Sequence, residues 1–273
     1  MPQKQLNIRR LTIADLDTVM RLKDLVGWNQ TPDDIRRLID YEPEGCFIAE
    51  LDGVSVGTIS TTTYGTALAW IGMMLVHPDY RRRGIARSLM ERGLEYLSER
   101  GVSCIKLDAT PLGQPLYEHF GFQAEWEFQR WERAGDSAAK FSAGGVISPE
   151  LLELDRLAFG ADRSDWVQQV ASVCRVLATD STFGMLRPGS HATYLGPVVT
   201  NHAAEVEPLV VEMLAIVEGR MFWDIPRSNQ AAEQIAARLG FEPVRQLLRM
   251  WSGEPLVEGR PDLQFGLLDP TTG

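Results

Sequence analysis

The sequence predicts an α/β fold, a mixed and mostly antiparallel sheet flanked by helices, built twice in tandem. Three observations predict it. Strand-like and helix-like stretches follow the order β-α-α-β-β-β-α-β-α-β in the first half. A polar stretch rich in small residues, "ERAGDSAAKFSAGGVIS" (residues 132–148), divides the chain near its middle. Finally, "TPLGQPLYEHFGF" returns 119 residues later as "NQAAEQIAARLGF", with Gly113 falling on Ala232, Leu116 on Ile235 and Gly121-Phe122 on Gly240-Phe241. Eight residues beyond each Phe stands an arginine, Arg130 or Arg249. That period is too long for a solenoid, so the reading is two copies of one domain, residues 1–134 and 149–273.

The elements follow in order. "LNIRRL" reads as a short strand, and Thr12 caps a helix over residues 13–26 with Leu16, Val19, Met20 and Lys23 at helical spacing. "TPDDIRRLI" starts a second helix, with Thr31 as cap, Pro32 in the first turn and acids at the positive end of the dipole. "CFIAEL", an Asp52-Gly53 turn and "VSVGTISTTTY" form a hairpin. "ALAWIGMMLV" is a buried strand, a long helix occupies residues 83–100, "VSCIKLDA" is a strand, "QPLYEHF" a short helix and "FQAEWEFQRW" the closing strand.

Composition narrows the function. A net charge of -10 speaks against nucleic acid and anionic membranes, because affinity for phosphate backbones grows with neutralising cations. Cys46, Cys104 and Cys174 are odd in number and widely spaced, which fits neither a disulfide framework nor a zinc site and suits a reducing compartment. No metal is expected. The start of the chain lacks the apolar core of a secretion signal, and no apolar run approaches the roughly 18 residues of a membrane span, so the expectation is a cytoplasmic protein.

Against that acidic background, Arg81, Arg82, Arg83 and Arg87 cluster where a strand gives way to a helix. The first N–H groups of a helix lack internal partners and carry about half a positive charge, so an anion laid there is held by backbone donors and dipole together. Gly84 and Ala86 permit close approach. The cluster reads as a pyrophosphate cradle or, more plainly, as a solvated basic helix start. A nucleoside-triphosphate loop lacks its Gly-Lys-Ser/Thr.

Here the chain resembles the GNAT superfamily of N-acetyltransferases. The family's R/Q-x-x-G-x-G/A signature matches Arg81, Gly84 and Ala86 after "VHPDY", and its LY-x-x-x-GF pattern matches Leu116, Tyr117, Gly121 and Phe122. The second half looks like a degenerate copy: "TNHAAEVEPLVVEML" has Glu205 and Glu207 where the cradle would be, and Ala236 replaces Tyr117.

The resemblance implies acetyl-CoA as co-substrate, with its pyrophosphate at Arg81, Arg82, Arg83, Gly84, Ile85, Ala86 and Arg87, and its pantetheine along Met74, Leu75 and Val76. It implies direct attack by an acceptor amine, with Tyr117 as acid to the departing thiolate; the alternative is a tyrosine that braces its helix. Asp108 reads as base or ammonium anchor, or as the cap of the following turn. Trp28 and Asn29 stand where an acceptor wall is expected, although Trp28 also suits a hydrophobic staple. Asp224 is a further candidate for the same cleft, and His77 reads as a strand-end residue.

One active site in the first half is expected, with the second half lining the acceptor cleft. Acidic balance suits a small cationic amine, an aminosugar, aminoglycoside or polyamine, and kasugamycin-acetylating resistance enzymes are similar in tandem arrangement. The alternatives are acetylation of a protein lysine or N-terminus, and a non-catalytic acyl-CoA sensor. Two fused copies could imitate a dimer, which leaves the oligomeric state open.

Overall fold

The computed structural model describes residues 5–136 and 144–273; the middle of the expected connection lies outside them. In the first half the elements are β1 (Leu6–Arg10), α1 (Leu16–Asp24), α2 (Pro32–Tyr41), β2 (Cys46–Leu51), β3 (Val54–Tyr64), β4 (Leu68–Val76), α3 (Ile85–Glu99), β5 (Cys104–Ala109), α4 (Gln114–His119) and β6 (Gln123–Arg133). Their order is the expected one. The second half gives α5 (Pro149–Phe159), α6 (Ser164–Ala171), β7 (Arg175–Ala178), β8 (Thr182–Arg187), β9 (Thr193–Thr200), α7 (Val206–Ile216), β10 (Met221–Pro226), α8 (Gln230–Arg238), β11 (Glu242–Gly253) and β12 (Gln264–Gly266).

Local chemistry accounts for the boundaries. Thr12 and Asp15 form a capping box, but they cap a short 3-10 turn that α1 then continues. Thr31 and Asp34 cap α2 reciprocally, with Pro32 opening it. Asp52 and Gly53 both take positive φ, the primed turn that matches strand twist. Lys23 is buried at 1% exposure, where its ammonium reaches the Trp28 carbonyl at 3.2 Å and Asp24 at 2.7 Å. That contact fixes the α1–α2 loop, and with it one wall of the site.

The halves do not close two separate sheets. Strand order is β1-β2-β3-β4-β5-β11-β6-β10-β9-β8-β7, one continuous sheet in which β12 pairs β9. Strand β11 of the second half pairs β5 of the first, while β6 of the first pairs β10 of the second. Each half therefore gives a strand, β6 or β11, to the other. The pairings are antiparallel except β4–β5 and β9–β10.

Two buried ion pairs lock the exchange. Arg249 on β11 bonds both oxygens of Asp108 on β5, at 3.0 and 3.1 Å. Arg130 on β6 bonds both oxygens of Asp224 on β10, at 2.7 and 2.6 Å. These are the two arginines of the internal repeat. Removing either partner would leave a buried charge uncompensated. The core divides by face: α3 and α4 pack with Ile59, Leu89, Leu107 and Tyr117 on one side, and α1, α2, α5 and α6 pack with Trp70, Phe159 and Trp166 on the other.

Candidate active site

Strands β4 and β5 pair in parallel only from Leu68–Cys104 to Ile71–Leu107. Beyond Ile71 they part. A bulge opposite β3 begins the split: the register shifts between Thr58 and Ser60, Met73 takes φ 45, and the Thr58 hydroxyl donates to the Met73 carbonyl at 2.8 Å. From Gly72 onward the β5-facing edge of β4 has no ladder partner among the described residues, and a cavity of about 670 Å³ opens there. Met74, Leu75 and Val76 line it.

At the far end of that edge, Pro78 opens a 3-10 turn and Gly84, in left-handed conformation at φ 81, caps α3. A side chain on Gly84 would meet no atom within 4 Å, so the helix start is open to a ligand as well as conformationally dependent on glycine. Ile85, Ala86, Arg81, Arg82 and Arg87 line the cavity with it. Arg81 Nε donates to the Val76 carbonyl at 3.2 Å, and Arg87 pairs with Glu91 at 2.9 Å. Arg82, held at φ 58, has no ion pair or hydrogen bond among the described residues. Arg83 corrects an expectation. It does not line the cavity: its guanidinium donates to the Asp79 carbonyl at 2.8 Å and lies over the Tyr80 ring, because the turn points it back along the loop.

Tyr117, on α4, lines the cavity from the α3 side and packs edge-on to Phe122. Its hydroxyl has no hydrogen-bond partner among the described residues, and burial raises its pKa well above the ordinary tyrosine value. Asp108 lines the same cavity with its side chain fully buried. Burial pushes it up to about 6 against the opposing pull of Arg249. The turn that follows is capped by Thr110, whose Oγ1 accepts from the Gly113 amide at 3.2 Å.

The remaining wall is shared between the halves. Trp28 and Asn29 of the α1–α2 loop face Arg187, Tyr194, Arg245 and Leu247 of the second half, and residues 269–271 complete the enclosure. Thr271 comes so close to Gly72 that a Cβ there would sit 2.2 Å from its carbonyl oxygen.

Comparison with known proteins gives the family. The sequence profile of the acetyltransferase (GNAT) family matches residues 13–122, and that of the acetyltransferase (GNAT) domain matches residues 151–266. The chain belongs to the GNAT acetyltransferases, with two such domains in tandem. It is 24% identical over 238 residues to the uncharacterized N-acetyltransferase YitH of Bacillus subtilis, covering 82% of this chain and 83% of that one. Holothin acyltransferase of a Pseudoalteromonas species is 23% identical over 243 residues, 83% of this chain and 81% of its own. The crystal structure of a Pyrococcus horikoshii chain assigned as an acetyltransferase superposes with TM-score 0.85 at 26% identity, over 98% of this chain and 96% of that chain. The activity is accordingly that of an acetyl-CoA-dependent N-acetyltransferase.

Within this GNAT chain, two expected acceptor residues have other tasks. Asn29 is buried; its Oδ1 accepts from the His191 and Ala192 amides at 2.9 and 3.0 Å, and its Nδ2 donates to the Ala192 carbonyl at 2.9 Å. It clamps the second half to the first. Asp224 is not a lining residue, because the β6–β10 register sets it directly opposite Arg130, and Tyr194 O–H donates to it at 2.9 Å. Arg187, Tyr194 and Arg245 were missed by sequence reasoning, since they lie far from every motif and reach the cavity only through the packing of the second half on the first, Arg245 by way of the exchanged strand β11. Arg130 alone carried a signal, its place in the repeat.

The second GNAT half has a corresponding split. Strands β9 and β10 pair only to Leu195–Trp223, then part at Gly196. There β12 fills the gap by pairing Val199 and Val198, while the Leu267 amide donates to the Asp224 carbonyl at 2.9 Å. At the start of α7, Glu205 accepts from the Thr179, Ser181 and Thr182 hydroxyls at 2.5, 2.8 and 2.7 Å. Its own carboxylate stands at the end of the helix where the first half has Arg81, Arg82 and Arg87 around an open start. Among the described residues no helix is long and apolar enough to cross a membrane, and no group of three His, Cys, Asp or Glu could hold a metal ion. The three cysteines are buried and free.

Proposed function

We propose that the first half transfers an acetyl group from acetyl-CoA to a primary amine of a small molecule, within the cleft between β4 and β5. The observation that carries this reading is the continuity of one cavity from the open start of α3 to the unpaired edge of β4. Arg81, Arg82 and Arg87, with the amides at Gly84, Ile85 and Ala86, suit a pyrophosphate. The free edge at Met74, Leu75 and Val76 suits the amide-bearing pantetheine arm, which takes the place of a missing strand. Acetyl-CoA supplies the acyl group as a thioester.

Tyr117 holds the proton that the departing sulfur needs. Its raised pKa keeps it protonated at neutral pH. Asp108 is occupied by Arg249, and we place it among the residues that hold the strands. The enclosing wall at residues 269–271 supports a small acceptor over a protein segment, and Tyr117 supports catalysis over sensing.

Aminoglycoside, polyamine and kasugamycin-like acceptors call for free carboxylates. The two that line the cleft, Asp108 and Asp269, are both bonded to arginine. Calorimetric titration of coenzyme A tests the reading. Micromolar binding that weakens in Arg82→Ala is expected, whereas no binding, or binding unaffected by changes at the start of α3, refutes it.

A further inference from the structure

The acceptor end of the cleft has an unusual charge pattern. Strand register sets the side chains by face. Arg245 lies opposite Arg130, Leu247 opposite Phe128, and Arg249 opposite both Asp108 and Trp126. Arg245, Leu247 and Arg249 therefore share the face that carries Asp108 and Arg130, the face on which α1 and α2 pack.

On that face each carboxylate is already engaged. Asp108 is bonded to Arg249 and Asp224 to Arg130. Asp269 is bonded to Arg187 and to the Thr271 amide and hydroxyl. Asp34, behind Arg187, is bonded to Arg187 at 2.9 Å and to Arg37 at 3.0 Å. Among the described residues no carboxylate lining the cavity is left to receive an ammonium or a polycation.

The surplus charge is positive. Arg245 is half-buried and lines the cavity, and its guanidinium has no ion pair or hydrogen bond among the described residues. Arg187, 7% exposed and also lining the cavity, has an Nε with no hydrogen-bond partner among the described residues. Tyr194 lies between the two paired arginines, with Arg130 5.7 Å and Arg187 5.3 Å from its ring centroid. A half-buried guanidinium without an anion is costly to keep, and a site that keeps one has a use for it. Burial and the neighbouring Arg130 pull Arg245 below the usual guanidinium value, as an unneutralised site requires.

We propose that the acceptor carries an anionic group, a carboxylate or a phosphate, beside its amine, and that Arg245 docks this group against the wall formed by Arg187 and Tyr194. The inference rests on the acetyltransferase reading above and adds the class of acceptor to it. Arg245 is then a specificity residue at one end of the acceptor, with the amine presented at the split near Gly72. The bidentate geometry of a guanidinium suits both anions.

The test uses the full chain saturated with acetyl-CoA and matched amines that differ by one anionic group: α-amino acids against their decarboxylated amines, and phosphoethanolamine against ethanolamine. The anionic member of a pair is expected to have roughly 10- to 100-fold higher kcat/KM. In Arg245→Ala that preference should vanish through KM with kcat little changed, and Arg245→Lys should restore part of it. The carboxylate and phosphate arms identify which anion is read. Equal or better turnover of uncharged or cationic amines, or a preference that survives in Arg245→Ala, overturns the proposal.

If no amine in the panel turns over, binding of inorganic phosphate and of acetate to the protein saturated with coenzyme A decides. Millimolar binding lost in Arg245→Ala supports the proposal, and no binding refutes it. Failure of coenzyme A itself to bind would instead refute the acetyltransferase reading. Thermal melting checks that Arg245→Ala is folded, which its lack of bonds leads one to expect.

Discussion

The splits in the two halves reach the same geometry and then differ. Ile71 and Leu195 are the last residues to pair before each split, Gly72 and Gly196 come next, and Asp108 and Asp224 follow Leu107 and Trp223 across from them. Each Asp is held by an arginine from the strand that the other half contributes. The segment from residue 264 to 273 passes both glycines, setting the Leu267 carbonyl against Gly196 and the Thr271 carbonyl against Gly72. At Gly196 it adds a strand and fills the split; at Gly72 it stops at the wall and leaves a cavity. The difference teaches which features belong to the shared scaffold and which to chemistry. The Asp–Arg pairs occur at both splits, so they are scaffold. Tyr117, the arginine cluster and the open edge of β4 occur at one, so they are candidates for chemistry.

Breaking the lock should have the largest effect. Asp108→Asn and Asp224→Asn each leave a buried arginine uncompensated, and each should lose about 3–5 kcal/mol of stability in urea denaturation. A stable but inactive Asp108→Asn beside a stable, active Asp224→Asn would end the equivalence and return Asp108 to a chemical role. Next comes Tyr117→Phe, for which kcat should fall about 100-fold while coenzyme A affinity is kept. Ala236→Tyr, its counterpart in the filled half, should confer nothing.

A smaller effect should separate the two helix starts. Arg82→Ala should weaken coenzyme A binding about 10-fold by calorimetry, the size of one charge-assisted contact, whereas Glu205→Gln should leave that binding unchanged. The smallest effect is a matter of pH. Hydrogen bonds from Thr179, Thr182 and Ser181 hold Glu205 down to about 2, below its ordinary 4.5. A depressed carboxyl stabilises the fold above its unfolded value and loses that contribution as pH falls through the folded one. Melting curves of the protein and of Glu205→Gln should therefore differ at neutral pH and converge between about pH 4.5 and 2. Curves that stay parallel would show that Glu205 does not serve as the second half's internal anion.

Much of this was legible in the residues. Helix caps at Thr12 and Thr31, the Asp52-Gly53 turn and the run from Val76 to Ala86 act within a few residues of themselves, so periodicity and spacing reveal them. The arginine-rich start of α3 could be located for the same reason, because a glycine-capped helix start after a strand is a local object. Arg83 could not be distinguished from its neighbours, since side-chain direction in a three-arginine turn depends on the loop's path.

The sequence by itself determined the order of elements, the duplication, and the inequality of the copies, through Tyr117 against Ala236 and the arginines against Glu205 and Glu207. Only the tertiary structure decided that β6 and β11 change places, that β12 fills the second split, and that Arg187, Tyr194 and Arg245 wall the first. The reason is that β6 and β11 carry similar strand patterns, each with an arginine at the same place in the repeat, and a strand's pattern says which face it buries but not which neighbour it joins. Partner choice rests on contacts between residues such as Arg249 and Asp108, brought together across 141 positions of chain, and such contacts leave no local trace.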